Sequence, residues 1–199
     1  MSKARYIMLG GFLGAGKTTT LIRLAEKLRD ENNNKVGLIT NDQAANLVDT
    51  NLVKAGNFAV EEIAGGCFCC RFNSLKDAAD KLTETERPDV FLAEPVGSCT
   101  DLVATVSYPL RRMYGDSFTI SPLSVLLDPR RAARIFGIEE GRNFSEKVKY
   151  VYLKQVEEAE ALVINKTDSV PAEDVEKLSA YIKETYPEKK LFLMSSRTG

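Results

Sequence analysis

A glycine-rich segment with one lysine and one threonine stands near the start of the sequence, at residues 11–18. It reads Gly-Phe-Leu-Gly-Ala-Gly-Lys-Thr and fits the P-loop pattern GxxxxGK[ST]. Glycines let backbone N–H groups close around an anion, and a following helix adds the positive end of its dipole. Lys17 can then reach the β- and γ-phosphates of a nucleotide, while the Thr18 hydroxyl can ligate Mg²⁺. The residues expected to hold the phosphates are Gly11, Gly14, Ala15, Gly16, Lys17, Thr18 and Thr19.

The tetrapeptide at residues 165–168, Asn-Lys-Thr-Asp, fits the pattern NKxD, which is typical of guanine recognition. Guanine presents an N1–H and an exocyclic amine, and one carboxylate, here Asp168, can accept hydrogen bonds from both. Adenine offers no matching donors to that carboxylate. Asn165 can contact the base edge and tether the P-loop, while the Lys166 stem can lie over the ring. These residues predict a preference for GTP over ATP.

Carboxylates follow two apolar runs of the sequence, where they could meet the phosphates. Glu94 comes directly after the run Val-Phe-Leu-Ala. A carboxylate beside a P-loop can hold Mg²⁺ directly or through water, or it can orient the attacking water. Asp42 and Asp49 lie in a polar stretch that could close over the γ-phosphate, as switch loops do. Either aspartate could instead be a surface charge.

Three of the four cysteines fall within the segment Gly-Gly-Cys-Phe-Cys-Cys at residues 65–70. Thiolates bind Zn²⁺, Co²⁺ or Cu⁺ well, and neighbouring loop cysteines can share one ion. Because the sequence has no histidine, a metal site must use thiolates, carboxylates, hydroxyls or water. The thiolates of Cys67, Cys69 and Cys70 are the candidate ligands, and Glu61 and Glu62 are nearby oxygen candidates. The three thiolates leave a fourth position for water, a carboxylate or a partner's ligand, which suits a transferable ion. Burial as small apolar side chains and a redox pair are the alternatives, and Cys99 is expected to pack by itself.

Apolar runs alternate with amphipathic helical patterns, which is typical of an α/β fold. The predicted strands cover residues 6–9, 36–39, 58–63, 90–93, 124–127, 161–164 and 191–194. The predicted helices cover residues 19–30, 72–86, 98–113, 144–160 and 171–186, the third broken at Pro109. We therefore expect a mainly parallel central sheet flanked by helices, the three-layer sandwich of P-loop NTPases. Ligands of such sheets bind beyond the carboxyl ends of the strands, which is where the candidate residues stand.

The composition indicates one ordinary globular domain, since 44% of the 199 residues are hydrophobic and 28% are charged. A net charge of −1 provides no basic field for nucleic acid. No apolar run approaches the ~20 residues of a membrane span. The apolar run near the N-terminus flows into the P-loop, which cleavage of a signal peptide would destroy. We expect a cytoplasmic protein without nucleic-acid or membrane partners.

Together, these motifs resemble those of the CobW/HypB/UreG family of metal-handling GTPases, and of its CobW-like branch in particular. The family pattern has, in order, a P-loop, a switch segment with a downstream aspartate, a GCxCC metal motif, an ExxG motif and NKxD. The corresponding residues here are 10–19, 41–49, 66–70, 94–97 and 165–168, so the resemblance covers essentially the whole chain.

The resemblance implies a role for each motif. Lys17, Glu94 and Asp49 would serve catalysis, and Thr18 would hold Mg²⁺ together with the two carboxylates. GTP or GDP would lie between the P-loop and the guanine-binding loops, which contribute Asn165, Lys166, Asp168 and Ser195. Zinc or cobalt would bind to Cys67, Cys69 and Cys70.

The sequence also departs from the family pattern. After Asn41 it reads Asp-Gln-Ala-Ala, without the phenylalanine, glycine and second acid of the usual switch. Residues 94–99, Glu-Pro-Val-Gly-Ser-Cys, differ from the threonine-rich form common in the group. The separate C-terminal domain and histidine-rich segment of many relatives are missing. We therefore expect a single GTPase domain over residues 1–199, either minimal or cut at a domain boundary.

The first interpretation is a slow, Mg²⁺-dependent GTPase whose nucleotide cycle is coupled to zinc or cobalt binding, acting as a metallochaperone or cofactor-insertion protein. Its expected partners are GTP, the metal ion and a client metalloprotein or cofactor-assembly protein, with a nucleotide-dependent homodimer as one form. The second interpretation is a GTP-gated metal-sensing regulatory module in which hydrolysis is incidental. The third is a P-loop kinase, which needs an acceptor pocket and a preference for ATP.

Overall fold

The computed structural model describes residues 3–41, 58–63, 66–141 and 144–198. In these ranges eight strands occur: β1 (Ala4–Gly11), β2 (Val36–Asn41), β3 (Ala59–Ile63), β4 (Val90–Glu94), β5 (Phe118–Ile120), β6 (Ser124–Leu127), β7 (Ala161–Ile164) and β8 (Lys190–Leu193). The α-helices are α1 (Lys17–Asn32), α2 (Phe72–Thr85), α3 (Tyr108–Tyr114), α4 (Pro129–Ile135), α5 (Glu146–Glu158) and α6 (Ala172–Thr185). None of these helices is long and apolar enough to cross a bilayer.

The strands form one sheet in the order β3-β2-β4-β1-β6-β7-β8, and the strand pairs in the described ranges are all parallel. β5 and β6 share one edge of β1, because β5 pairs with residues 4–6 and β6 with residues 9–11. β4 occupies the other edge, with Ala93 opposite Met8. The carboxyl ends of β1 and β4 therefore lie side by side, which places the P-loop next to Glu94.

The core lies on both faces of this sheet. Successive residues of a strand point to opposite faces, and Phe91 belongs to one apolar cluster while Leu92 belongs to the other. Helix α1 packs against the Leu92 face through Leu21, Ala25 and Leu28. The opposite cluster contains buried side chains from α2, α5 and α6, among them Leu75, Tyr152 and Leu178. Helices therefore cover both faces, and the predicted three-layer α/β fold is confirmed.

Some elements differ from the sequence prediction. The short elements β5 and α4 were not expected, and the predicted break at Pro109 is wrong. A π-helical turn over Val103–Ser107 runs directly into α3, whose first turn contains Pro109. Pro109 has no N–H to donate, and it lies where the hydrogen bonding changes from the π-helical pattern, in which the Tyr108 N–H donates to the Val103 carbonyl, to the α-helical pattern.

Candidate functional site

The P-loop connects β1 to α1 in a conformation that depends on glycine. Gly16 is the N-cap of α1 with φ 91°, in the left-handed region. A Cβ atom at this position would lie 2.4 Å from Nδ2 of Asn165, so a larger residue would separate the P-loop from the NKxD segment. No side chain in the described ranges makes a capping hydrogen bond at this end of α1. Its first N–H groups are therefore directed, with the positive end of the helix dipole, into the loop where phosphates would bind.

Lys17, Thr18 and Glu94 meet at the junction of α1 with β4. The Thr18 hydroxyl donates to Oε1 of Glu94 at 2.9 Å, and Nζ of Lys17 lies 3.9 Å from the same oxygen. Lys17 is 6% exposed and Glu94 is 2% exposed. Burial lowers the pKa of Lys17 although Glu94 opposes the change, and burial raises the pKa of Glu94 although Lys17 and Thr18 oppose it. The attraction between Lys17 and Glu94 does not by itself compensate for the loss of water around their charges. Additional charged ligands would therefore be stabilised beside these two residues.

The residues present fit a divalent cation. Oε2 of Glu94 is buried and has no hydrogen-bond partner among the residues that the structure describes. Such an atom is costly unless a ligand satisfies it. A carboxylate oxygen and the neighbouring Thr18 hydroxyl are the hard oxygen donors that Mg²⁺ prefers.

The NKxD segment contacts the P-loop directly. Asn165 is fully buried after β7; its Nδ2 donates to the Ala15 carbonyl at 2.9 Å, and its Oδ1 accepts from the Ser196 backbone N–H at 2.9 Å. Nζ of Lys166 donates to the Gly14 carbonyl at 2.5 Å and pairs with Asp128 at 2.9 Å. The segment that would bind guanine and the loop that would bind phosphate are thus joined by two hydrogen bonds, while Ser196 and Asp128 hold the NKxD segment from outside the P-loop.

Asp168 lies beside the segment that follows β8. The Ser195 hydroxyl donates to Oδ1 of Asp168 at 2.6 Å, and the Arg197 guanidinium lies 3.0 Å from Oδ2. The hydrogen bond from Ser195, assisted by the charge of Arg197, lowers the pKa of Asp168. The carboxylate is therefore ionised at neutral pH and is able to accept hydrogen bonds from a base.

The cysteines form a second centre in the segments that follow β3 and β4. The Sγ atoms of Cys67, Cys69 and Cys99 all lie within 4.8 Å of one another. Cys70 is exposed, with its Sγ atom 3.9 Å from that of Cys69. The expectation that Cys99 stands apart is wrong: the thiol is buried, but it lies against the other two. All four cysteines are free thiols.

The proximity of these thiols changes their acidity. Burial raises the pKa of Cys67, but hydrogen bonds from Cys69 and Cys70 outweigh it and bring the pKa to about 7. Burial, and then the neighbouring Cys67, raise the pKa of Cys69 to about 12. One proton is thus lost far more readily than the next, as expected for thiols that share one site.

The segment from Glu94 to Cys99 joins the two centres. Its Gly97 packs against the P-loop, where an added Cβ would lie 2.8 Å from the Leu13 backbone nitrogen and 3.2 Å from Nζ of Lys17. Nε2 of the buried Gln155 donates to the carbonyls of Gly97 at 3.0 Å and Cys99 at 2.8 Å. A short segment held at both ends therefore carries the carboxylate at one end and a thiol at the other.

Two predicted residues, Asp42 and Asp49, lie outside the described residues. Their neighbour Asn41 is buried at the end of β2 and donates through Nδ2 to the Gly66 carbonyl. The last residue of β2 therefore contacts the start of the cysteine segment.

Sequence reasoning missed several supporting residues. Arg131 on α4 donates to the Leu13 carbonyl and lies over the Phe12 ring, 5.3 Å from its centroid. Asp128 caps α4 and pairs with Lys166. Asp followed by Pro at the end of β6 is a helix-start signal that could have identified α4. Nothing in the sequence marks Gln155, which lies far from its partners along the chain.

Known proteins were compared with this chain. Residues 5–193 match the family model described as CobW/HypB/UreG, nucleotide-binding domain. The zinc chaperone YjiA of Escherichia coli is 32% identical over 104 residues, covering 51% of this chain and 32% of the relative. The zinc-regulated GTPase metalloprotein activator 1 of Dictyostelium discoideum is 24% identical over 212 residues, covering 92% of this chain and 44% of the relative. The chain therefore spans less than half the length of both curated relatives.

Solved structures show the same fold. HypB from Helicobacter pylori, crystallised in complex with nickel, superposes with a TM-score of 0.64 at 22% identity, covering 98% of this chain and 80% of HypB. The resemblance inferred from the sequence motifs is thus confirmed by a match over nearly the entire chain. This chain belongs to the CobW/HypB/UreG family, whose nucleotide-binding domain it carries.

Proposed function

We propose that this chain is the Mg²⁺-dependent GTP-binding and GTP-hydrolysing domain of a metal-handling protein. Its nucleotide cycle controls the binding of a transition-metal ion at the cysteine centre, and it serves as a metallochaperone or cofactor-insertion protein. The observation that carries this proposal is the segment from Glu94 to Cys99, which places one end beside Lys17 and Thr18 and the other beside Cys67 and Cys69.

Guanine selection is assigned to Asp168. Its ionised carboxylate is oriented by Ser195, and it lies on the segment that Asn165 joins to the P-loop. A carboxylate can accept from the N1–H and the amine of guanine, whereas adenine presents no such pair of donors. The Dictyostelium relative is named a zinc-regulated GTPase, which agrees with this choice.

Hydrolysis is in-line attack of water on the γ-phosphate, in which the protein contributes mainly positioning and charge. Lys17 supplies a fixed cation for the β- and γ-oxygens, and the uncapped end of α1 supplies backbone N–H donors. Thr18 and Glu94 are the residues that would hold Mg²⁺, with Asp49 as a further proposed ligand; the ion neutralises developing phosphate charge when bound. Glu94, whose carboxylate accepts a hydrogen bond from Thr18, would also orient the attacking water.

The metal is the cargo of this reaction, and thiolate chemistry favours zinc or cobalt. The family pattern points to Cys67, Cys69 and Cys70 as ligands. The YjiA relative is named a zinc chaperone, and the HypB structure contains nickel. A client metalloprotein or cofactor-assembly protein would receive the ion, and a nucleotide-dependent homodimer is one form in which the domain would act.

Comparison of two lysine variants tests the enzymatic part. Lys17→Ala removes the buried phosphate-binding cation, whereas Lys27→Ala removes an exposed lysine from the same helix. We expect Lys17→Ala to lower GTP turnover by roughly 100-fold or more, because a fixed donor to transition-state charge is lost. Lys27→Ala should retain the parent rate. Parent turnover that persists in Lys17→Ala, or that is equally fast with ATP, contradicts the proposal.

A further inference from the structure

Cys99 lies where a metal ligand would be needed, although it belongs to a different segment from the other cysteines. Its thiol and those of Cys67 and Cys69 lie within 4.8 Å of one another. Around a tetrahedral zinc with Zn–S distances of ~2.3 Å, thiolate sulfurs are separated by roughly 3.8 Å. The three sulfurs therefore need to approach by only about 1 Å at most, which small side-chain rotations provide.

The surroundings of Cys99 hold its backbone in one position. Its N–H donates to the Val96 carbonyl at 3.0 Å, closing a turn, and its own carbonyl accepts from the Gln155 amide at 2.8 Å. Gln155 is 2% exposed, so this contact is shielded from water. These hydrogen bonds hold the Cys99 backbone at a position where its thiol lies beside those of Cys67 and Cys69.

Cys70 differs from Cys99 in both exposure and position. It is exposed at the surface and contacts both Cys67 and Cys69, but it is not one of the three thiols that all lie within 4.8 Å of one another. Among the residues that the structure describes, no carboxylate joins that cluster, so sulfur supplies its donors. Three inward thiols favour a thiophilic ion such as Zn²⁺ or Co²⁺.

We infer that Cys99, together with Cys67 and Cys69, holds the transition-metal ion, and that Cys70 lies outside this set. This inference rests on the proposed function and replaces one cysteine of the family-derived ligand set. Binding releases the thiol protons to solvent, as for any thiolate site. The ion is then held by the segment that also carries Glu94, so the metal centre and the phosphate centre share one backbone segment.

Two single variants and Co²⁺ titration test the assignment. Thiolate-bound Co²⁺ shows charge-transfer absorption whose intensity follows the number of sulfur ligands. Cys70→Ser, an exposed substitution, should keep the parent intensity and a Zn²⁺ affinity within about threefold of the parent. Cys99→Ala should lose roughly one third of the intensity, and its affinity should fall at least ~10-fold, since even residues outside the ligand set change affinity by that much.

The possible results distinguish a failure of the Cys99 assignment from a failure of the proposed function. Full charge-transfer intensity in Cys99→Ala overturns the assignment of Cys99, while thermal unfolding in a chelator checks that this variant is folded. If Cys70→Ser loses the absorption of one thiolate ligand, the exclusion of Cys70 is overturned. Misfolding would not explain this result, because Cys70 lies at the surface. A parent protein that binds neither Co²⁺ nor Zn²⁺ contradicts the proposed function itself.

Discussion

The Thr18 hydroxyl donates to Oε1 of Glu94 at 2.9 Å, which joins the first turn of α1 to the end of β4. Five residues further along the chain, Cys99 contacts Cys67 and Cys69. A change at the phosphates that moves Glu94 would therefore act on a segment that ends at the thiol cluster.

The first prediction concerns the base. Asp168→Asn should weaken GTP binding by roughly 10–100-fold, because a charged acceptor of two hydrogen bonds becomes an amide. The same variant should gain affinity for xanthosine triphosphate, whose C2 oxo group can accept from the new amide donor. Asp174→Asn, an exposed position on α6, is the control. Competition against a fluorescent guanine nucleotide measures these affinities, and an Asp168→Asn variant with parent selectivity contradicts the assignment.

The second prediction concerns the cation. Thr18→Ala removes the hydroxyl that contacts Glu94, so GTP affinity should lose most of its dependence on Mg²⁺ concentration. Thr85→Ala, at the exposed end of α2, should keep that dependence. Isothermal titration with and without Mg²⁺ gives the comparison. A parent-like Mg²⁺ effect in Thr18→Ala would show that the threonine is not a ligand.

The third prediction concerns the connecting segment. Gln155→Leu leaves the carbonyls of Gly97 and Cys99 without their buried donor, so stability should fall by about 1–3 kcal/mol. If Gln155 had only a structural role, the loss of stability would be the only effect of this substitution. We expect in addition that the effect of GTP on metal affinity shrinks by at least threefold, because the position of the segment is less defined. Lys147→Leu on the exposed start of α5 is the control, and undiminished coupling in a folded Gln155→Leu variant contradicts the role of Gln155.

The fourth prediction concerns pH. Burial raises the pKa of Glu158 to about 7 from an ordinary value of 4.5, although the Val103 N–H, 3.4 Å away, favours its charged form. Between pH 4.5 and about 7, Glu158 therefore keeps its proton in the folded protein but has lost it in the unfolded chain. Its contribution to stability is present below pH 4.5 and is lost as pH rises through about 7.

Urea unfolding at pH 5.5 and pH 8 compares the parent with Glu158→Gln and with the exposed Glu157→Gln. The parent and Glu157→Gln should lose stability between these pH values, whereas Glu158→Gln should lose measurably less because it cannot ionise. Equal losses in all three proteins would exclude Glu158 as the titrating group.

The sequence was sufficient for the main sheet but not for its short elements. Strands β6 and β7 were predicted at the residues where they occur, since an apolar run of three residues after Ser124 in β6 and of four residues in β7 ends at a polar residue. β5 has three residues, too few to show a period, and it is a strand because it fits beside the start of β1. Helix α4 is likewise too short for periodicity to reveal it, although its Asp-Pro start was visible.

The candidate site, like the fold, could be predicted only in part from the sequence. Motifs of consecutive residues were recognised because their spacing is part of the chemistry. The position of Cys99 beside Cys67 could not be inferred, because it depends on the turn after β4 and on Gln155 from a distant helix. Contacts of this kind are set by tertiary packing, which the residue pattern of one segment does not contain.

The most direct test of the account is metal affinity measured in two nucleotide states. Zn²⁺ or Co²⁺ is titrated into the parent and into a Cys67, Cys69 and Cys99 triple serine variant, with GDP and with a non-hydrolysable GTP analogue. We expect the parent affinities to differ by roughly 5–150-fold, corresponding to ~1–3 kcal/mol of coupling, and the metal to change GTP affinity by the same factor. The triple variant should lose both the binding and the difference. Identical parent affinities in the two nucleotide states would leave a metal site in place but would contradict the claim that the nucleotide controls it.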